Sequence, residues 1–302
     1  NRSASAITAG AWSAGGTKGD ATTQQSAGTD GPSSAFATWG GRTVPATTTN
    51  LTEEYNGTAW SPGGNLNVSA RDRCGGGTLT AAWCGGGTQP AYIDSAEEYN
   101  GTGWTAVTAI PTAAILLGGT GPQTAGLGVV GQLPPGAYPR TAIEYDGSSW
   151  TLGPATSTAR TDSSAGMVGD SSNGLIIGGE SPVTANVEEW NGSAWSEEAN
   201  LVTGSGQCSD GSFGTDALAY QNGGKTSPSP GAAIAATQYW NGTNWSTAPT
   251  MGQARKSHTS GGTATAGLSA AGQTGTTPTV LSSSEEFTAE TSAANIVTVT
   301  TS

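Results

Sequence analysis

The chain has 302 residues, enough for one large all-β domain, with 34 % hydrophobic and only 11 % charged residues. That balance excludes the usual disordered composition, in which few hydrophobics accompany many charges; the polar residues are instead Gly, Thr, Ser and Asn, which suit tight turns and short strands. The formal net charge of −12 repels phosphate backbones and argues against nucleic acid as a partner, and no apolar run approaches the roughly 20 residues that span a membrane as a helix.

In chain order, the first predicted element is Ala11-Trp12-Ser13-Ala14-Gly15-Gly16, a tryptophan strand with no aromatic partner upstream. A six-residue signature then recurs: Tyr55-Asn-Gly-Thr-Ala-Trp60, Tyr99-Asn-Gly-Thr-Gly-Trp104, Tyr145-Asp-Gly-Ser-Ser-Trp150, Trp190-Asn-Gly-Ser-Ala-Trp195 and Trp240-Asn-Gly-Thr-Asn-Trp245. Its tryptophans are 44, 46, 45 and 50 residues apart, the length of a four-stranded propeller blade. Asn-Gly and Asp-Gly between aromatics predict hairpins with type I′ turns. The flanking aromatics predict anchors of a core between blades, with Trp60, Trp104, Trp150, Trp195 and Trp245 in equivalent, substantially buried places.

Glutamate pairs precede the aromatics, as in Glu53-Glu54-Tyr55, Glu97-Glu98-Tyr99 and Glu188-Glu189-Trp190. Neighbouring residues on a strand face opposite ways, so these carboxylates are expected around a solvated or arginine-paired rim rather than at one metal. Between hairpins run small-residue strands ending in glycine pairs: Gly40-Gly41, Gly86-Gly87, Gly178-Gly179 and Gly223-Gly224, degraded to Gly131-Gln132 and Gly272-Gln273. Cys74, Cys84 and Cys208 form no disulfide framework and no zinc spacing. Cys74 and Cys84 lie on neighbouring predicted strands, where buried thiols are preferred to a bond.

The chain ends with Glu285-Glu286-Phe287, an acidic-aromatic strand with no tryptophan downstream. It complements the orphan Trp12 strand. The expected architecture is all-β: a six-bladed β-propeller of four-stranded antiparallel blades, closed by N- and C-terminal strands sharing one blade. The propeller covers residues 1–290, in units 12–55, 60–99, 104–145, 150–190, 195–240 and 245–287. Residues 291–302 form a tail whose stretch 295–300 is itself strand-like and competes with the Trp12 strand for the outer position.

The glycine pair, tyrosine and following tryptophan resemble the Kelch repeat over nearly the whole chain, in the manner of the galactose-oxidase central domain. Kelch repeats often carry an arginine about ten residues after the tryptophan; Arg71, Arg160 and Arg255 match it, whereas Ala114 and Ser205 stand near its place in other units. The resemblance implies scaffold roles for these arginines. A copper site of the galactose-oxidase kind needs more imidazole than the one histidine, His258, supplies. His258 is read as structural, and no Ser-His-Asp trio is indicated. Sialidase Asp-boxes differ too, because the Asp146-Gly147 turn is one residue shorter. No catalytic residue, metal or cofactor is therefore expected.

The repeat wording also resembles Kelch-like proteins of tailed phages, which are virion or appendage components. It implies a non-enzymatic, extracellular or virion-surface structural and attachment module. Its expected partners are other virion or surface proteins, a host-surface glycan and further copies of the chain. A secreted carbohydrate-binding propeller is the alternative, and a glycan-active enzyme the third reading. Among the polar, charge-poor loops, Tyr92 and Tyr138 are the candidate contact residues. The expected structural anchors are Trp12, Trp60, Trp104, Trp150, Trp195 and Trp245 with Tyr55, Tyr99, Tyr145, Trp190, Trp240 and Phe287.

Overall fold

A computed structural model of the chain describes residues 10–43, 47–158, 160, 165–180, 182–208, 212–227, 231–275 and 279–289. They contain strands and no helix, arranged as six four-stranded antiparallel sheets with two small ribbons, Thr22–Thr23 with Arg42–Thr43 and Thr88–Gln89 with Ala91–Tyr92. The first blade is Ser26–Ala27, Phe36–Trp39, Thr52–Tyr55 and Trp60–Pro62. The second is Cys74–Thr78, Ala81–Gly85, Ala96–Tyr99 and Trp104–Val107. The third is Ile115–Thr120, Gly126–Gln132, Thr141–Tyr145 and Trp150–Ala155. The fourth is Gly166–Gly169, Gly174–Ile177, Val187–Trp190 and Trp195–Glu197. The fifth is Ser212–Gly214, Ala219–Asn222, Thr237–Trp240 and Trp245–Ala248.

The closing blade takes Thr259–Thr263, Ala266–Ala270 and Ser283–Thr288 from the C-terminal side and Ala11–Thr17 from the N-terminal side. Trp12 pairs with Phe287 and Ala11 with Thr288. The outer position is thus filled by the Trp12 strand and not by the tail; residues 291–302 lie outside the described residues. The first strands of the six blades touch one another in sequence around the ring, and the first blade meets the closing blade. This is a six-bladed β-propeller.

Each hairpin between third and fourth strands departs from the type I′ expectation. The aromatics pair directly, as in Tyr55 with Trp60, leaving a four-residue loop. Only its glycine has positive φ, between +84° and +90° at Gly57, Gly101, Gly147, Gly192 and Gly242. The side-chain oxygen of Asn56 accepts the N–H groups of Thr58 and Ala59 at 3.0 and 2.9 Å, and Asn100, Asp146, Asn191 and Asn241 repeat the bond. The preference for Asn or Asp follows from this cap.

The aromatics fill the spaces between blades. The first of each pair is fully buried: Tyr55, Tyr99, Tyr145, Trp190, Trp240 and Phe287. The outer tryptophans are less uniform than expected. Trp104 and Trp245 are buried, whereas Trp12, Trp60, Trp150 and Trp195 are half-buried, because the outer strand has solvent on its far side. Trp39 and Trp83, on second strands, are the larger core residues. The glycine pairs tie blade to blade. Gly41 donates to Ala70 O, Gly87 to Ala114 O, Gly179 to Ser205 O and Gly224 to Arg255 O, all at 2.7–2.9 Å. In the closing blade the pair is Ala271-Gly272, both at positive φ, with Gly272 donating to Thr22 O. The expected Gly272-Gln273 pair is therefore out of phase by one residue.

Candidate functional site

The charged residues of the repeat build a buried clamp inside four of the six blades. The first glutamate of the pair points inward: Glu97 pairs with Arg73 at 3.1 Å, Glu188 with Arg160 at 2.5 Å, Glu285 with Arg255 at 2.9 Å and Glu53 with Lys18 at 3.2 Å. The linker entering such a blade donates backbone N–H groups to the same carboxylate, from Asn67 and Val68 to Glu97, from Ser157 and Thr158 to Glu188 and from Gly252 and Gln253 to Glu285. Burial alone would raise the Glu188 carboxyl. The hydrogen bond and charge of Arg160, with those two N–H groups, hold it below its ordinary value. In the fifth blade Gln238 replaces the acid and exchanges two bonds with the Thr203 backbone. Of the expected solvated or arginine-paired rim, the first glutamate takes the arginine-paired form at Glu97, Glu188 and Glu285, with the pairs buried rather than solvated. The expectation for Arg71 is corrected: it is half-exposed and pairs with its neighbour Asp72, while Arg73 enters the clamp.

The second glutamate faces the next blade. Glu54 accepts the Tyr99 hydroxyl, Glu98 accepts Tyr145 at 2.9 Å and Glu286 accepts Tyr55. Where the next aromatic is a tryptophan this bond is missing, and burial pushes Glu144 and Glu189 up.

The third blade breaks the clamp at every contributor. Ile143 stands where other blades have Glu or Gln, Ala114 stands ten residues after its tryptophan, and Pro111 supplies no N–H from the linker. An apolar pocket of about 100 Å³ opens there, with Ile110, Pro111, Val130, Leu133, Ile143 and Leu152 among its walls. Leu152 is 57 % exposed. Beside it the structure brings the two expected contact residues together. Tyr92 donates its hydroxyl to Gln132 Oε1 at 2.6 Å, and Gln132 Nε2 bonds the Tyr138 hydroxyl at 2.7 Å. Tyr92 comes from the second-blade loop and Tyr138 from the third-blade loop, on one face of the ring. Gln132 was not anticipated, since it stood as a lost glycine. Ile143 was readable as the apolar exception in a column of Glu and Gln, and Pro111 as a linker residue without an N–H where other blades have Asn67, Ser157 and Gly252.

Two further recesses exist. One, of about 330 Å³, is bordered by Asp30, Asp170 and Asp216 beside first-strand ends. Asp30 caps Gly77 N–H and Gly121 N–H, and burial raises its carboxyl. The other, of about 400 Å³, lies between the fifth and closing blades. Cys74 and Cys84 are buried and offset by one register place, Cys74 opposite Gly85 and Cys84 opposite Gly75. His258 is fully buried, with Nε2 2.9 Å from Asn222 Oδ1. Among the described residues no helix is long and apolar enough to cross a membrane, and no three His, Cys, Asp or Glu side chains are grouped to hold a metal ion. No protein-family model matches the chain, and no curated protein matches it in sequence.

Proposed function

We propose that the chain is a non-enzymatic structural and attachment module of an extracellular or virion surface, Kelch-like in its repeat and acting through the loops of the second and third blades. The observation that carries this reading is the joined Tyr92–Gln132–Tyr138 surface beside the third-blade pocket. Aromatic rings with polar tips next to an uncharged hollow are the composition of a contact surface, and few charges there limit the cost of desolvation. The arginines after Trp150 and Trp245 and the single histidine are engaged in the scaffold, which leaves the loops to carry recognition. The partners are other surface proteins of the same particle. The test is mass spectrometry of purified particles and culture supernatant, followed by assembly with a Tyr92→Ala/Tyr138→Ala chain. Recovery in particles, with loss of incorporation in the double variant, supports the reading. A chain found only inside cells overturns it. A secreted carbohydrate-binding propeller is the second reading, favoured by the 41 % exposure of Tyr138; for it, retention on a glycan surface would replace retention on particles.

A further inference from the structure

The recess between the fifth and closing blades arises from one repeat position. Five blades place the second glutamate there: Glu54, Glu98, Glu144, Glu189 and Glu286; the fifth blade places Tyr239. The next aromatic is Phe287, which has no hydroxyl to reach back. The junction is therefore built from rings instead of a Tyr–Glu bond. Tyr239 lies 4.9 Å from Tyr220 between centroids, Tyr220 lies 4.6 Å from Phe287, and Trp12 backs Phe287 at 5.2 Å. Tyr220, Tyr239 and Phe287 wall a space of about 400 Å³, with Thr247 and Thr265 also lining it. No described residue of the lining carries a charge, in a chain of net charge −12.

We propose that this recess binds a neutral saccharide ring. A pyranose has an apolar C–H face that packs on an aromatic wall and an equatorial rim of hydroxyls that bonds polar tips. The recess offers both, and its volume falls within the roughly 300–1,000 Å³ of small-ligand sites. A purely aliphatic ligand would make no use of the polar side chains in the lining, Tyr239 and Thr247 among them. An anionic sugar would find no cation among the described lining residues and an acidic protein around it. The inference deepens the attachment reading and rests on it for the source of the sugar, a glycan on the surface being contacted.

The test is titration of the purified chain, followed by ligand-observed NMR, with glucose, galactose, mannose and N-acetylglucosamine, and with N-acetylneuraminic acid as the charged comparison. At least one neutral sugar should bind with a Kd of about 1 mM, a usual strength for one small polar ligand. Tyr239→Glu installs the residue that five other blades already fold with. It should weaken binding at least about tenfold, the equivalent of about 1.4 kcal/mol, as should Tyr239→Ala, while Thr105→Ala, at an exposed position on the second blade's outer strand, leaves binding unchanged. The proposal is overturned if no neutral sugar binds below about 50 mM, if binding survives Tyr239→Glu, or if N-acetylneuraminic acid binds as well as the neutral sugars. Particle association is read in a separate assay, so failure of the sugar site and failure of the attachment reading are distinguishable.

Discussion

At the scale of single residues, the outer tryptophans show how one position sets another. Except for Trp150, which donates to Thr108 O at 2.8 Å, the indole N–H is governed by the residue three before the buried aromatic in the preceding blade. Where that residue has a hydroxyl the bond forms: Trp104 to Thr52 at 2.9 Å, Trp12 to Thr237 at 3.1 Å and Trp60 to Ser284 at 3.2 Å. In the third and fourth blades the same position holds Ala142 and Val187, and Trp195 Nε1 and Trp245 Nε1 are buried with no partner. Val187→Thr should therefore stabilise the chain by about 1 kcal/mol, a rise in Tm of about 2 °C for a domain of this size. In a Trp245→Phe background the same change should lose its benefit; a double-mutant cycle with no coupling would reject the account. His258 makes a second prediction. Burial, then the charge of Arg255, lowers its pKa to about 3 from an ordinary 6.5. The unfolded chain then binds the proton that the folded chain refuses. Stability is full above about pH 7 and is lost as pH falls from about 6.5 toward 3, by roughly 2 kcal/mol on reaching pH 5. Chemical denaturation at pH 7 and pH 5 checks this: His258→Gln should flatten the slope in that interval, and an unchanged slope would place the titration elsewhere.

At the scale of the element, the clamp makes a blade from four short strands. Arg160→Ala leaves Glu188 buried without its cation and should cost about 3–5 kcal/mol. The third blade shows that an apolar clamp also folds, since Ile143 faces Pro111 where acid and donors stand elsewhere. Replacing both charged members, as Arg160→Met with Glu188→Ile, should therefore cost far less than Arg160→Ala alone. Thermal melts of the two variants decide it; equal losses would mean that the surrounding N–H donors, not the ion pair, dominate. These elements also mark what the sequence could and could not disclose. The hairpins were legible because an Asn-Gly between two aromatics is a local signal repeated at one period. The clamp was not, because which of two adjacent glutamates turns inward depends on the phase of the third strand. Arg73 in place of Arg71 has the same origin: spacing from Trp60 selects Arg71, yet Ala70 holds the linker place that accepts Gly41 N–H, and the guanidinium comes from three residues on. Tyr92 and Tyr138 were legible as loop aromatics, while their meeting through Gln132 depends on two blades lying side by side.

At the scale of the whole molecule, the ring is held by a strand from each end of the chain. Trp12 packs on Phe287 at 5.2 Å and edge-on to Phe213 at 6.0 Å, and its indole bonds Thr237 of the fifth blade. The Trp12 strand therefore completes the closing blade and also fastens it to its neighbour. Deleting residues 1–16 removes the tryptophan and bares the edge of Ser283–Thr288, whose register runs Trp12 to Phe287 and Ser13 to Glu286. Loss of a half-buried tryptophan costs part of the roughly 3–5 kcal/mol of a fully buried one, and an unpaired sheet edge is a template for pairing with another copy. Deleting residues 291–302 leaves that register intact, because the outer position is already occupied. The first truncation should melt at a distinctly lower temperature and form oligomers or precipitate, whereas the second should melt within about 2 °C of the full chain. Differential scanning calorimetry with size-exclusion chromatography of both chains provides the comparison. If removal of 291–302 proves as damaging as removal of 1–16, the tail contributes to closure and the Trp12 strand is not the sole fastening.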